Sequence, residues 1–425
     1  MNRQRDVARV LRNGPFRLLL GASAISSAGD FFSAVGIVFA VFAIGGSAGA
    51  LGLVLAARLT ALVCCLLAGG VIGDRVPRQV LGVGMNLLRC ASQGLTAALL
   101  LTGHAELWHL AVLQAVHGIG SAFYLPAATA LVPQVVTDRQ DLQKANATLT
   151  GAQSTAAVVG PALAGVLIAA TGPGWALAFD SLSFLFAAAL LARVKVTGPR
   201  PAGPPGESFW SELAAGWRTV TSTSWLWVSL IQFGLIQLIV FGPLYVLGPL
   251  IARDRLGGAA AWGIILTAFG VGNLIGSVVA FRFQPHRPLQ VMFAVSMLFA
   301  PALLLLAGAA PTAAIAAAMA LGGIAMTFAN TVWEATLQER IDAAVLARVS
   351  AYDWLGSMAL RPLGLAIAGP LAVWLGLAPA LIAGGLLLLV TSAACCLVPS
   401  IREMVRERPE PPPVEVAAPA TGQAT

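Results

Sequence analysis

The chain has 425 residues, of which 58% are hydrophobic and only 10% charged; the net charge is +7 and the mean hydropathy +0.84. An ordinary soluble domain carries roughly a quarter charged residues, so this composition excludes a surface solvated by water throughout and makes lipid the solvent for much of it. The basic excess does not form a nucleic-acid face, because Lys and Arg stand in short clusters between apolar runs, the placement that fixes membrane topology.

Arg3, Arg5, Arg9, Arg12 and Arg17 precede an apolar run far longer than a signal-peptide core of about 7–15 residues. That run is therefore expected to stay attached as a first span behind a cytoplasmic N-terminus at residues 1–15. A bilayer-spanning helix needs about 20 mainly apolar residues. Breaking the chain at charge clusters and Gly/Pro turns gives twelve spans. The first six lie at roughly 16–44, 49–72, 79–102, 107–132, 145–170 and 174–193. The second six lie at roughly 225–251, 260–281, 289–309, 312–337, 347–375 and 378–398.

The reading is an all-α integral membrane protein with a six-helix bundle at roughly 16–193 and another at roughly 225–398. The cytoplasmic connector between them, residues 194–224, begins rich in Pro and Gly. From Ser208 onward, Phe209, Trp210, Leu213, Trp217 and Val220 recur at the spacing of an amphipathic helix lying on the membrane. The tail at 399–425 loses all apolar periodicity from about residue 408 and is expected to be disordered.

Most of the 25 basic residues fall on one side of this twelve-span layout, which puts both termini in the cytoplasm of an inner-membrane protein. Trp108, Trp175, Trp262 and Trp374 at outer ends, with Trp225, Trp227, Trp333 and Trp354 at inner ends, read as aromatic belts. Cys64, Cys65, Cys90, Cys395 and Cys396 sit inside apolar runs and read as small hydrophobes. No P-loop, nucleophile motif or His-rich cluster is present, so neither an enzyme nor ATP drive, cofactor or metal is expected.

Several motifs repeat at offsets of about half the chain. The loop Gly69-Gly-Val-Ile-Gly73-Asp74-Arg75-Val-Pro-Arg78 has a counterpart at Arg282–Arg287, and Gly160-Pro161 has one at Arg361-Pro362. The first of these resembles the signature after span two of the major facilitator superfamily. Gly151, followed by Gly160-Pro161-Ala-Leu-Ala164-Gly165, resembles the antiporter motif of its drug exporters, with Ala164 in place of a glycine. Phe16-Arg17-Leu18, Gly29-Asp30, Pro126-Ala127, Pro133, Gln338 and Arg348-Val349 resemble the branch that holds macrolide exporters and the enterobactin exporter. The resemblance implies alternating access, with Gly69, Gly73, Asp74, Arg75 and Arg78 as a gate in which Asp74 faces the start of span eleven. Gly151, Gly160, Pro161 and Gly165 would bend or seal the cavity. An arginine of a sister branch is absent, for Gln114 stands there, followed by His117-Gly118.

A charge near the bilayer centre costs about 2.5–3.5 kcal/mol on insertion scales and normally faces the bundle interior. Asp30, about 14 residues into span one and so roughly 20 Å along it, and His117 in span four are the proton-coupling candidates. Carboxylate and imidazole are the groups that can exchange protons there. Arg58 and Arg361 are the counter-charge candidates, whereas Arg89 and Asp180 read as staples on peripheral helices. Gln114, Gln232, Gln237 and Tyr245 are substrate-cavity candidates on an otherwise oily path. The function expected is proton-coupled export of a small amphipathic compound by a monomer; an uptake permease or a non-transporting membrane sensor are the alternatives.

Overall fold

The computed structural model describes residues 10–73, 76–136, 138–194 and 217–406. Asp74 and Arg75 of the gate, the start of the amphipathic connector helix and the tail beyond residue 406 lie outside the described residues.

The first half comprises α1 (Gly14–Ala43), α2 (Ala48–Gly73), α3 (Arg78–Leu101), α4 (Leu107–Val135), α5 (Arg139–Thr171) and α6 (Pro173–Ala192). The second comprises α7 (Ser224–Leu256), α8 (Ala259–Arg282), α9 (Pro288–Ala307), α10 (Thr312–Arg340), α11 (Ala343–Ala359 and Arg361–Leu375) and α12 (Leu377–Leu397). Eleven of these helices are long and apolar enough to cross a membrane. The twelfth, α3, is less apolar because its inward face holds Asn86, Arg89, Ser92, Gln93 and Thr96, all buried.

Local chemistry sets the boundaries. Asn13 caps α1: its side chain accepts from the Phe16 amide (3.2 Å) and donates to the Val135 carbonyl (3.1 Å), tying α1 to the end of α4. Asn13→Ala removes a cap and a long-range bond, and is expected to cost about 1–2 kcal/mol. A thermal melt of purified protein checks it. α5 starts earlier than the apolar run because polar residues continue the helix, with Asp141 in its first turn where a carboxylate suits the helix dipole. α7 widens into π turns at Gln237–Phe241 and Ala252–Leu256 and stops at Gly257 and Gly258, whose φ values are 100° and 77°. α11 breaks at Leu360, ahead of Pro362, because a proline amide cannot donate and its ring crowds the preceding turn. Pro161 is accommodated inside an unbroken α5.

The packing repeats across the halves: α1 with α6, α3 with α6 and α2 with α4 match α7 with α12, α9 with α12 and α8 with α10. The halves meet through α5 with α8 and α2 with α11, pairs that the same duplication interchanges. Backbones cross closely at glycines. A Cβ on Gly52 would overlap the Leu365 carbonyl and one on Gly369 the Gly49 backbone, and one on Gly165 would come 2.5 Å from the Ala259 carbonyl oxygen. These crossings lie from mid-bundle to the end away from the chain termini.

Five tryptophans of the expected belts, Trp108, Trp175, Trp227, Trp354 and Trp374, are exposed, but Trp262 and Trp333 are core residues. Trp262 lies over Gly248, and Trp333 packs edge-on to Trp225 and Phe233. An indole at a helix end can face inward as well as outward, and position along the span does not say which.

Candidate functional site

A cavity of about 420 Å³ opens within the first half, lined by α1, α2, α3, α4 and α5. It lies in the part of the bundle nearest the chain termini. Its α1 wall is Leu19, Ser23, Ser26, Ser27 and Asp30, and its α5 wall is Asn146, Leu149, Thr150 and Gln153, both spaced to fall on one helix face. Ser121, Tyr124 and Thr129 of α4 add hydroxyls; Leu62, Leu125 and Val132 add apolar surface. Gln153 Nε2 donates across the cavity to Ser23 Oγ at 3.3 Å.

Asp30 stands in the cavity wall with its side chain 35% exposed. Arg89 Nη2 donates to both of its carboxylate oxygens at 2.8 Å, and Arg58 Nη2 donates to Oδ1 at 3.4 Å. The two arginines differ in setting: Arg58 is 23% exposed and Arg89 only 3%. Arg89 is held between aromatic faces, its guanidinium 3.8 Å from the Phe184 ring centroid and 5.1 Å from that of Tyr124. Such contacts add cation–π attraction where water is excluded. His117 is fully buried; Nε2 lies 3.7 Å from Asp30 Oδ1, and neither ring nitrogen makes a hydrogen bond.

Behind Asp30 a second polar layer joins α1, α3, α4 and α6. Gln93 Nε2 donates to Asp180 Oδ2 (2.7 Å) and to the Ser33 hydroxyl, while its Oε1 accepts from Gln114 Nε2 at 3.0 Å. Gly29 makes this possible, since a Cβ there would overlap Ser183 Oγ and stand 2.6 Å from Asp180 Oδ1. Asn86 Oδ1, Arg89 Nε, Gln114 Oε1, both His117 nitrogens and Asp180 Oδ1 are buried without hydrogen-bond partners. Buried polar groups are normally satisfied, and unsatisfied ones gathered in one place mark strain or function rather than packing alone.

The structure thus brings together Asp30, Arg58 and His117, and adds Arg89, which the sequence reading put at the periphery. Arg361 is in the other half, its guanidinium 4.9 Å from the Tyr245 ring centroid. Gln114 belongs to the layer behind Asp30. Gln232 donates to Thr391 and Ser392 of α12 at 2.9 and 3.1 Å, and Gln237 contacts Met358 Sδ at 3.6 Å. None of Gln114, Gln232, Gln237 and Tyr245 lines this cavity, whose walls mix hydroxyl and amide groups with leucine, alanine and valine side chains.

Gly151, Gly160, Pro161, Gly165 and Arg78 are not part of the cavity lining. Gly160 faces Phe31 of α1, and Gly165 and Pro161 face Ala259 and Gly263 of α8, while Gly151 has open space beside it. Arg78 Nη1 donates to the Ala130 carbonyl at 3.4 Å, joining the start of α3 to α4. Gly69 and Gly73 lie in the last turns of α2.

The family described as transmembrane secretion effector (MFS_3) matches residues 8–418. Macrolide efflux protein A of Streptococcus pyogenes is 24% identical over 341 residues, covering 79% of this chain and 84% of that protein. Multidrug efflux pump Tap of Mycolicibacterium fortuitum is 25% identical over 410 residues, covering 92% and 98%. Among solved structures, the nucleoside transporter NupG superposes with a TM-score of 0.75 over 90% of this chain and 98% of that one, at 11% identity.

Proposed function

Because the chain belongs to the transmembrane secretion effector family of the major facilitator superfamily, we propose that it exports a small amphipathic organic molecule across the inner membrane in exchange for protons. Asp30 is the coupling carboxylate in this reading, and the observation behind it is its place: mid-helix, in a cavity wall, holding two arginines of unequal burial. A proton on Asp30 cancels the charge that holds Arg58 at 3.4 Å, so protonation and the occupancy of the cavity are linked through one side chain. His117, 3.7 Å from the same oxygen, is the second group through which a proton can pass.

With both termini cytoplasmic, as the distribution of Lys and Arg favours, the cavity faces the cytoplasm and the glycine crossings close the opposite side. That is the loading state of an exporter. Mixed hydroxyl, amide and leucine walls suit an amphipathic substrate, and the efflux activities named for the two relatives agree with that class. The Asp74–Arg75 loop would latch the halves when the cytoplasmic side closes.

The test is accumulation of macrolides and dyes in inverted membrane vesicles under an imposed pH gradient. Wild type is expected to accumulate substrate against its gradient, and Asp30→Asn to lose that accumulation while retaining downhill exchange. Equal gradient-driven accumulation by both would remove Asp30 from coupling.

A further inference from the structure

Protonation of Asp30 leaves Arg89 with an electrostatic problem. Arg89 is 3% exposed, its Nη2 bonds only Asp30, and its Nε has no partner. Arg58 can turn toward cavity water when Asp30 is neutral, but Arg89 would be left as an uncompensated buried charge, the costly outcome of breaking a buried pair.

Asp180 is the other carboxylate of the cluster. It is fully buried; Oδ2 accepts from Gln93 at 2.7 Å, Oδ1 has no partner, and among the described residues no cation lies within 4.0 Å of it. Phe184, whose ring supports the Arg89 guanidinium, stands four residues along α6 on the same face. One helical turn is about 5.4 Å, so Asp180 stands about one turn along α6 from the ring that supports the Arg89 guanidinium. On the opposite side Gly120 leaves room for the arm, since a Cβ there would lie 2.7 Å from Arg89 Cγ.

We propose that Asp180 is the alternate counter-ion of Arg89: when Asp30 takes up a proton, the guanidinium passes to Asp180, and it returns when the proton leaves. The guanidinium is then never unpaired inside the bundle, and Asp30 can titrate within a protein that stays folded. The charged or titratable groups facing this pair are Asp30 from α1, Arg58 from α2, Arg89 and Cys90 from α3, His117 and Tyr124 from α4, and Asp180 itself from α6. α5 adds to the cavity wall only uncharged groups, among them Asn146 and Gln153. The inference rests on the coupling role of Asp30, but its test needs no transported substrate.

The measurement is a pH titration by infrared spectroscopy of the purified protein in lipid nanodiscs, following the carbonyl band of a protonated carboxyl. The Asp30 band is the one lost in Asp30→Asn. In Asp180→Asn, which keeps an acceptor for Gln93, the Asp30 midpoint is expected to fall by at least about one pH unit, a tenfold loss of proton affinity. Asp180→Glu should restore it, and Arg89→Gln with Asp180→Asn should raise it above the single Asp180→Asn variant. An unchanged midpoint in Asp180→Asn, or a double variant no different from that single one, overturns the proposal. Should Asp180→Asn not fold, Arg89→Gln alone decides: because an alternate counter-ion leaves Arg89 little net pull on Asp30, the Asp30 midpoint is expected to move by less than about one pH unit, and a larger rise, the result for a static pair, refutes the exchange. Titration as expected with no gradient-driven transport would refute the transport reading and leave the carboxylate exchange standing.

Discussion

Asp30→Ala is expected to destabilise the protein by about 3 kcal/mol, whereas Arg58→Ala costs about 1 kcal/mol or less. The two substitutions break the same cluster, and burial separates them. Removing Asp30 takes from Arg89, which is 3% exposed, the carboxylate that accepts both of its 2.8 Å bonds and leaves it only Asp180 to turn to. Breaking a buried pair typically costs 3–5 kcal/mol, and the lower end applies because Asp30 is itself 35% exposed and because Phe184 and Tyr124 still offer their ring faces, each worth about 1–2 kcal/mol when desolvated. Removing Arg58, 23% exposed and at 3.4 Å, leaves Asp30 with its two 2.8 Å contacts to Arg89. Asp30→Ala combined with Arg89→Leu should recover part of the loss, since the buried guanidinium is then removed together with its partner. Thermal melts of the wild type and these three variants in one detergent check this ordering. A loss for Arg58→Ala as large as for Asp30→Ala would mean that burial does not separate the two arginines energetically.

The same distinction between depth and direction explains what could be read from the sequence. Twelve apolar runs separated by charges specify the spans almost directly, because lipid demands that each span satisfy its own backbone. Asp30 was legible near mid-membrane by counting along its helix, with Arg58 as one of two candidate counter-charges. Arg89 was equally deep, yet only the packing of α3 between α4 and α6 turns it toward Asp30. Arg361 shows the converse, being at a suitable depth but in the other half beside Tyr245.

Gln114 and Gln232 carry large polar groups, and the fold spends them on other side chains rather than on a cavity. The cavity walls were harder to recognise because hydroxyls in apolar helices usually bond their own backbone, as Ser121 and Thr129 do with the His117 and Leu125 carbonyls. The recoverable signal was spacing: Ser23, Ser26, Ser27 and Asp30, like Asn146, Thr150 and Gln153, form polar stripes at helical period.

Gly369→Leu is expected to open the closed end of the molecule and to reduce gradient-driven transport at least about tenfold. Its Cβ would overlap the backbone of Gly49, and backbone cannot rotate out of the way as a side chain can. α2 and α11 must therefore separate at this crossing, while the contacts inside each half remain. The crossing joins the halves only where the molecule is now shut, so the substitution penalises this state and not one in which that end is open; a difference of 1.4 kcal/mol already shifts the ratio tenfold. The readout is the reaction of an impermeant maleimide with Ala259→Cys, placed in a background lacking the five native cysteines. Ala259 is 6% exposed and lies on Gly165 at the companion crossing of α5 and α8. Because the two crossings are related by the duplication and join the same two bodies, opening one should open the other. Labelling from the side opposite the termini should accelerate in Gly369→Leu. An unchanged rate would mean that α11 yields locally, in keeping with its break at Leu360, and that the halves do not move as units about these glycines.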